Sequence, residues 1–172
     1  MIRVLRPTWA VVAIIAAGGI AHAEERLVPG PKGAPMLLEA IADGVQIYVC
    51  EAKGPGYEWV FKAPEANLFD RKRRQIGTHY AGPTWKTMDG AAVVGEVTSK
   101  ADAPTAGAIP WLLLRAKSHD GKGPLASAAF IRRVETMGGA APTAGCDAAH
   151  SGEQARMRYS ALYEFIGAAE KP

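Results

Sequence analysis

Apolar and polar residues alternate along much of the chain with the period of two that is typical of half-buried β-strands. Aliphatic residues occupy every second position of segment 45–49, and aromatic residues occupy every second position of segment 57–61. The unbroken apolar run Trp111–Leu114 instead predicts a strand that is covered on both faces. Short strands of this kind, about eight or nine in number, predict an all-β single domain: an antiparallel β-sandwich, a jelly roll or a barrel-like sheet.

One turn signal lies early in this pattern. The dipeptide Asp43-Gly44 stands between the apolar segments 37–41 and 45–51. Glycine adopts the positive φ of a type I′ turn without strain, so the pattern predicts a hairpin at this point.

The C-terminal segment 153–166 fits two structures. As a strand, it places alternate residues from Met157 to Phe165 on one face; as a helix, it has an apolar stripe from Ala155 to Ile166. Aromatic residues among the alternate positions favour the strand.

The first 23 residues have the three parts of a secretory signal peptide. Arg3 and Arg6 form a basic region, Trp9–Ile20 is apolar, and Ala21-His22-Ala23 is a small-x-small cleavage site. The apolar part is shorter than the roughly 20 residues of a membrane helix. We expect cleavage after Ala23 and a periplasmic or secreted product, with an uncleaved signal anchor as the alternative.

After this leader, the chain predicts one folding unit without a membrane span. Residues 24–36 are rich in Pro and Gly and form an extended lead-in, residues 37–166 form the β domain, and residues 167–172 form a tail. Removal of Arg3 and Arg6 lowers the formal net charge from +3 to +1. Such a near-neutral domain lacks the electrostatic signature of nucleic-acid binding, and we expect no nucleic-acid partner.

Two cysteines, Cys50 and Cys146, remain in the mature chain. In an oxidising compartment they predict one structural disulfide, whereas a redox or metal-binding pair is the alternative. Cys146 and His150 would share a metal only on a helix, and the glycine-rich segment 138–145 indicates a loop. The sequence therefore predicts neither a metal site nor a cofactor.

The segment from His79 to Gly90 contains the densest set of chemically capable side chains. His79 is a candidate general acid or base, Trp85 with Tyr80 a candidate platform for a sugar or an aromatic ligand, and Asp89 a candidate carboxylate partner. The alternative is structural: Trp85 in the core, His79 bonded to a backbone carbonyl, and Asp89 in a turn. No Gly-x-Ser-x-Gly motif supports a serine hydrolase.

Seven motifs in a fixed order resemble the DUF3455 family of secreted bacterial and fungal proteins, whose function is unknown. The motifs are Gly44–Cys50, Trp59–Ala66, His79–Trp85, Asp89-Gly90, Ile109–Leu114, Gly138–Pro142 and Tyr159–Ala161. The resemblance runs from about Leu37 to Phe165 and implies that the C-terminal segment is a strand. The chain departs from the family pattern at Ala91, Arg132 and Glu135, where Ser, Gln and Asn are usual.

These observations leave three classes of function. The favoured one is a β domain that binds a small molecule or carbohydrate through the His79–Trp85 turn region, with Trp85 and Tyr80 partly exposed in a concave surface. The second is a hydrolase or lyase that uses His79 with Asp89 or Tyr80. The third is a structural, envelope-associated protein, which would expose a large apolar patch.

Overall fold

The structure is a computed structural model that describes residues 27–169. The predicted signal peptide, residues 1–23, lies outside the described residues, as does the beginning of the lead-in. Within the described range, no helix is long and apolar enough to cross a membrane.

Eight antiparallel strands form a single sheet in chain order, and the first strand pairs with the last to close it into a barrel. Closure removes the free sheet edges that would otherwise pair with other chains. The all-β prediction is confirmed, and the barrel is the arrangement adopted. The strands are β1 (Met36–Lys53), β2 (Gly56–Phe69), β3 (Gln75–Tyr80), β4 (Thr84–Thr87), β5 (Ala92–Ala101), β6 (Trp111–Asp120), β7 (Phe130–Gly138) and β8 (Gln154–Ile166).

The hairpin predicted at Asp43-Gly44 is wrong, because β1 runs straight through both residues. Gly44 lies opposite Ala66 of β2 and Tyr159 of β8. A Cβ atom on Gly44 would lie 2.2 Å from the carbonyl oxygen of Glu65. Glycine therefore serves here for the close approach of a neighbouring strand and not for a turn.

The C-terminal segment is a strand, as the alternation of its residues favoured. β8 pairs with β1 on one side and with β7 on the other. Tyr159, Ala161, Tyr163 and Phe165 are all buried. Strand β8 thus closes the barrel and contributes three aromatic rings to its interior.

One end of the barrel is filled by a short 3₁₀ turn, Pro124–Ser127, between β6 and β7. Leu125 in this turn is fully buried in a core cluster with Ala40, Val93 and Phe165. The turn also contacts β1, β4, β5 and β6. Interior space is therefore left toward the other end, where β1 finishes.

The lead-in packs on the outside of the barrel. Val28 is fully buried and forms a second apolar cluster with Trp111 of β6 and Val134 of β7. On the opposite face of β6, Leu114 belongs to the interior cluster. This arrangement confirms that the run Trp111–Leu114 is covered on both faces.

The predicted disulfide between Cys50 and Cys146 is present, with the two Cα atoms 5.3 Å apart. It joins the final part of β1 to the loop that precedes β8. The backbone N–H of Cys50 also donates to the carbonyl of Glu153. The bridge therefore ties together the two strands whose pairing closes the barrel.

Candidate functional site

The barrel interior contains a cavity of about 490 Å³. Side chains from all eight strands line it, so the cavity exists only because the sheet is closed. At its mouth, Phe61 of β2 and Val97 of β5 are each 49% exposed. Its size lies within the range of about 300–1,000 Å³ that is usual for small-molecule sites.

His79 and Trp85 form one wall of the cavity. They are direct cross-strand partners on β3 and β4, and their rings are stacked with centroids 4.4 Å apart. The ring of Tyr163 meets both edge-on, at 5.1 Å from His79 and 5.2 Å from Trp85. The wall is therefore a packed aromatic cluster whose members fix one another's orientation.

His79 is held in one neutral tautomer. Its Nδ1 lies 2.8 Å from the carbonyl oxygen of Thr84, which only accepts, so Nδ1 carries the hydrogen. Burial lowers the pKa of His79 to about 3, although the hydrogen bond to Thr84 acts in the opposite direction. At neutral pH the ring is uncharged, and Nε2 keeps its lone pair.

The four predicted site residues fall into two pairs. His79 and Trp85 line the cavity, but Trp85 is only 1% exposed, so the expectation of partial exposure is wrong for this residue. Trp85 points inward from β4 and is covered by His79 and Tyr163.

Tyr80 and Asp89, the other pair, lie outside the cavity. Tyr80 follows His79 on β3, so its side chain points to the opposite face, where it is 41% exposed. Asp89 lies in the turn after β4, where its carboxylate accepts a hydrogen bond from the Thr87 hydroxyl. This hydrogen bond lowers the pKa of Asp89. Neither residue forms a hydrogen bond with His79, whose partner is Thr84.

Arg133 of β7 is the functional candidate that sequence reasoning missed. It lines the cavity directly opposite Tyr163 in the β7–β8 pairing. Its Nε and Nη2 atoms donate to the carbonyl oxygen of Pro110 at 3.0 and 2.8 Å. The sequence carries no clear signal for it, because Arg132 and Arg133 are adjacent and only the β7–β8 register shows which of them faces inward.

The cavity floor also contains buried hydrogen-bond donors. The Gln46 amide nitrogen and the Tyr163 hydroxyl are buried and form no hydrogen bond of normal geometry within the described residues, although the Tyr159 side chain lies near both and Arg133 lies near Tyr163. Burial raises the pKa of Tyr163, so its hydroxyl stays protonated. A buried polar group without a hydrogen bond of good geometry is costly, so a further partner at these donors would be stabilising.

Residues 31–167 match the model of the DUF3455 family, which is described as a protein of unknown function. The chain belongs to the DUF3455 family. The match spans all eight strands of this DUF3455 protein and every residue that lines the cavity. No curated protein and no solved structure matches the chain.

The three departures from the family pattern lie away from the cavity of this DUF3455 protein. Arg132 and Glu164 form an ion pair of 3.1 Å and border the lead-in instead. Glu135 has a positive φ of 49° at the irregularity of β7, and Ala91 is buried next to the 3₁₀ turn. None of the three residues lines the cavity.

The other two histidines of residues 27–169 are engaged with partners of their own. His119 contacts the carbonyl oxygen of Ala128 at 2.7 Å, and His150 forms an ion pair of 2.7 Å with Asp147. This contact raises the pKa of His150. Residues 27–169 contain no group of three or more His, Cys, Asp or Glu side chains that would hold a metal ion.

Proposed function

We propose that this DUF3455 protein binds a small molecule inside the barrel. The observation that carries the proposal is the cavity itself, which has an apolar mouth and, at its floor, polar groups without a hydrogen bond of normal geometry. Apolar walls with a few converging polar groups are the usual composition of a ligand site. The binding site is therefore the interior next to His79 and Trp85, not the exposed turn that follows them.

The alternatives have less support. A hydrolase using His79 with Asp89 or Tyr80 requires those groups to meet, but both partners lie outside the cavity. Carbohydrate stacking on Trp85 requires an open ring face, but Trp85 is only 1% exposed, with His79 stacked on it and Tyr163 against it. A structural role in the envelope predicts self-association and an unused cavity, so a binding experiment separates it from the proposal.

The proposal is tested with N-phenyl-1-naphthylamine, a neutral apolar dye whose fluorescence rises in apolar surroundings. We expect a saturable rise with one site per protein. Val97→Trp places a large ring at the mouth and should weaken binding at least about tenfold, which corresponds to about 1.4 kcal/mol. Trp85 is unsuitable for this purpose, because its removal would leave a hole in the core.

Met137→Trp is the matched control, since Met137 is 62% exposed and does not line the cavity. It introduces the same side chain outside the proposed site and should leave the affinity unchanged. Absence of saturable binding to the wild-type protein, or equal affinities of both variants and the wild type, would contradict the proposal.

A further inference from the structure

The charges around the cavity have one sign. Arg133, Lys62 and Lys100 line it, and neither Asp nor Glu is among the lining residues that the structure describes. Lys62 is half-exposed and paired with Glu51 at 2.6 Å, so its charge is compensated at the rim. Arg133 is partly buried, and no carboxylate within residues 27–169 forms an ion pair with it.

The guanidinium of Arg133 is fixed by hydrogen bonds, but not all of its N–H hydrogens have acceptors. Its hydrogen bonds to the Pro110 carbonyl occupy the Nε hydrogen and one Nη2 hydrogen. Of the three remaining guanidinium hydrogens, one approaches the Tyr163 hydroxyl, and the others are left for another acceptor. A partly buried cation without a counter-ion is unfavourable, so binding an anion there restores the missing interaction.

The groups around Arg133 also require an acceptor. The Tyr163 hydroxyl, on the strand paired with β7, and the Gln46 amide are buried donors whose contacts with Tyr159 fall short of normal hydrogen-bond geometry. Together with Arg133 they present N–H and O–H groups, which suit a carboxylate with two accepting oxygens. Lys62 is paired with Glu51 and Lys100 is exposed to solvent, so Arg133 is the one interior cation of the described lining, which favours a monoanion.

The rest of the cavity suits an apolar group. Phe61 and Val97 stand exposed at the mouth, and Leu112 and Leu114 of β6 extend the apolar wall inward. The aromatic rings of His79 and Trp85 continue it, because His79 is uncharged at neutral pH.

We propose that the ligand is a monocarboxylate with an apolar body and that Arg133 binds its carboxylate. This inference rests on the proposed function, since it assigns a chemical class to the ligand of the same cavity. The charged end lies between Arg133, Tyr163 and Gln46, and the apolar body extends toward Phe61 and Val97.

Competition against N-phenyl-1-naphthylamine tests the inference with three ligands of one chain length: octanoate, its methyl ester and octylammonium. We expect octanoate to bind the wild-type protein at least about tenfold more tightly than the ester, and octylammonium to bind most weakly. Arg133→Gln should reduce the preference for octanoate over the ester to near unity. Arg115→Gln is the control, because Arg115 is 65% exposed and paired with Glu96 outside the cavity; it should keep the full preference.

The outcomes separate the two proposals. Dye binding with equal affinities for octanoate and the ester overturns the carboxylate inference and leaves the binding function standing. Absence of dye binding in the wild-type protein overturns both. If Arg133→Gln fails to fold, the comparison of octanoate, ester and octylammonium on the wild-type protein still decides the preference, and Arg133→Lys should retain part of it.

Discussion

At the scale of single residues, His79 couples folding to pH. Burial lowers its pKa from 6.5 to about 3, so below pH 6.5 the unfolded chain binds a proton that the folded chain does not. The contribution of His79 to the free energy of unfolding is therefore fully present above pH 6.5, and it is lost as the pH falls from 6.5 toward 3. Between pH 7 and pH 5 we expect a loss of about 2 kcal/mol from this residue.

Urea unfolding of the wild type and of His79→Phe at pH 7 and pH 5 measures this effect. Phenylalanine retains a ring against Trp85 and does not titrate, so the variant should lose less stability over the interval. Other groups with shifted pKa values, such as Asp70 and His150, are present in both proteins and cancel in the difference. An equal loss in both proteins would show that His79 is protonated without cost in the folded state.

Part of the candidate site could be predicted from the sequence. The proximity of His79 and Trp85 follows from Gly82-Pro83 between them, because a tight turn there places the flanking residues opposite each other. Which neighbour faces inward depends on the register of the closed sheet. Arg133 was not predicted for the same reason. It lies opposite Tyr163 because β7 pairs with β8, and these two strands are separated by a long loop in the chain.

At the scale of elements, β1 shows why a local signal is insufficient. Asp-Gly fits a turn and equally fits a strand whose partner comes very close, and only the β1–β2 pairing distinguishes the two. We expect Gly44→Ala to destabilise the protein by about 1–3 kcal/mol or more, because its Cβ would meet the backbone of Glu65 and Ala66 at 2.2 and 2.5 Å. Neither contact is a flexible side-chain end that moves aside.

Gly56→Ala provides the matched control in urea unfolding. Gly56 begins β2, and a Cβ there would meet no atom within 4 Å. Its replacement should change the free energy of unfolding by less than about 1 kcal/mol. If the two variants were equally stable, the close approach at Gly44 would not be what requires glycine.

At the scale of the whole molecule, alternation predicts strands but not their closure. The pairing of β1 with β8 joins segments more than one hundred positions apart, for example Gly44 with Tyr159. No pattern within either segment specifies this partner. The cavity is a product of that pairing, which is why the sequence predicted a site near His79 and Trp85 but not its place in the barrel interior.

The disulfide acts at this same scale, because it joins the strand that begins the barrel to the loop before the strand that ends it. Its cysteines are 96 positions apart, and a loop of about this length corresponds to about 4–5 kcal/mol in the chain-entropy model.

We expect Cys50→Ala/Cys146→Ala to lower the free energy of unfolding by about 2–5 kcal/mol while far-UV circular dichroism stays β-type. Urea unfolding of the oxidised wild type, the reduced wild type and the double variant measures the loss. The reduced wild type should agree with the double variant to within about 1 kcal/mol, since both lack the same constraint on the unfolded chain. Equal midpoints for the oxidised and reduced proteins would instead mean that the β1–β8 pairing alone maintains the closed barrel.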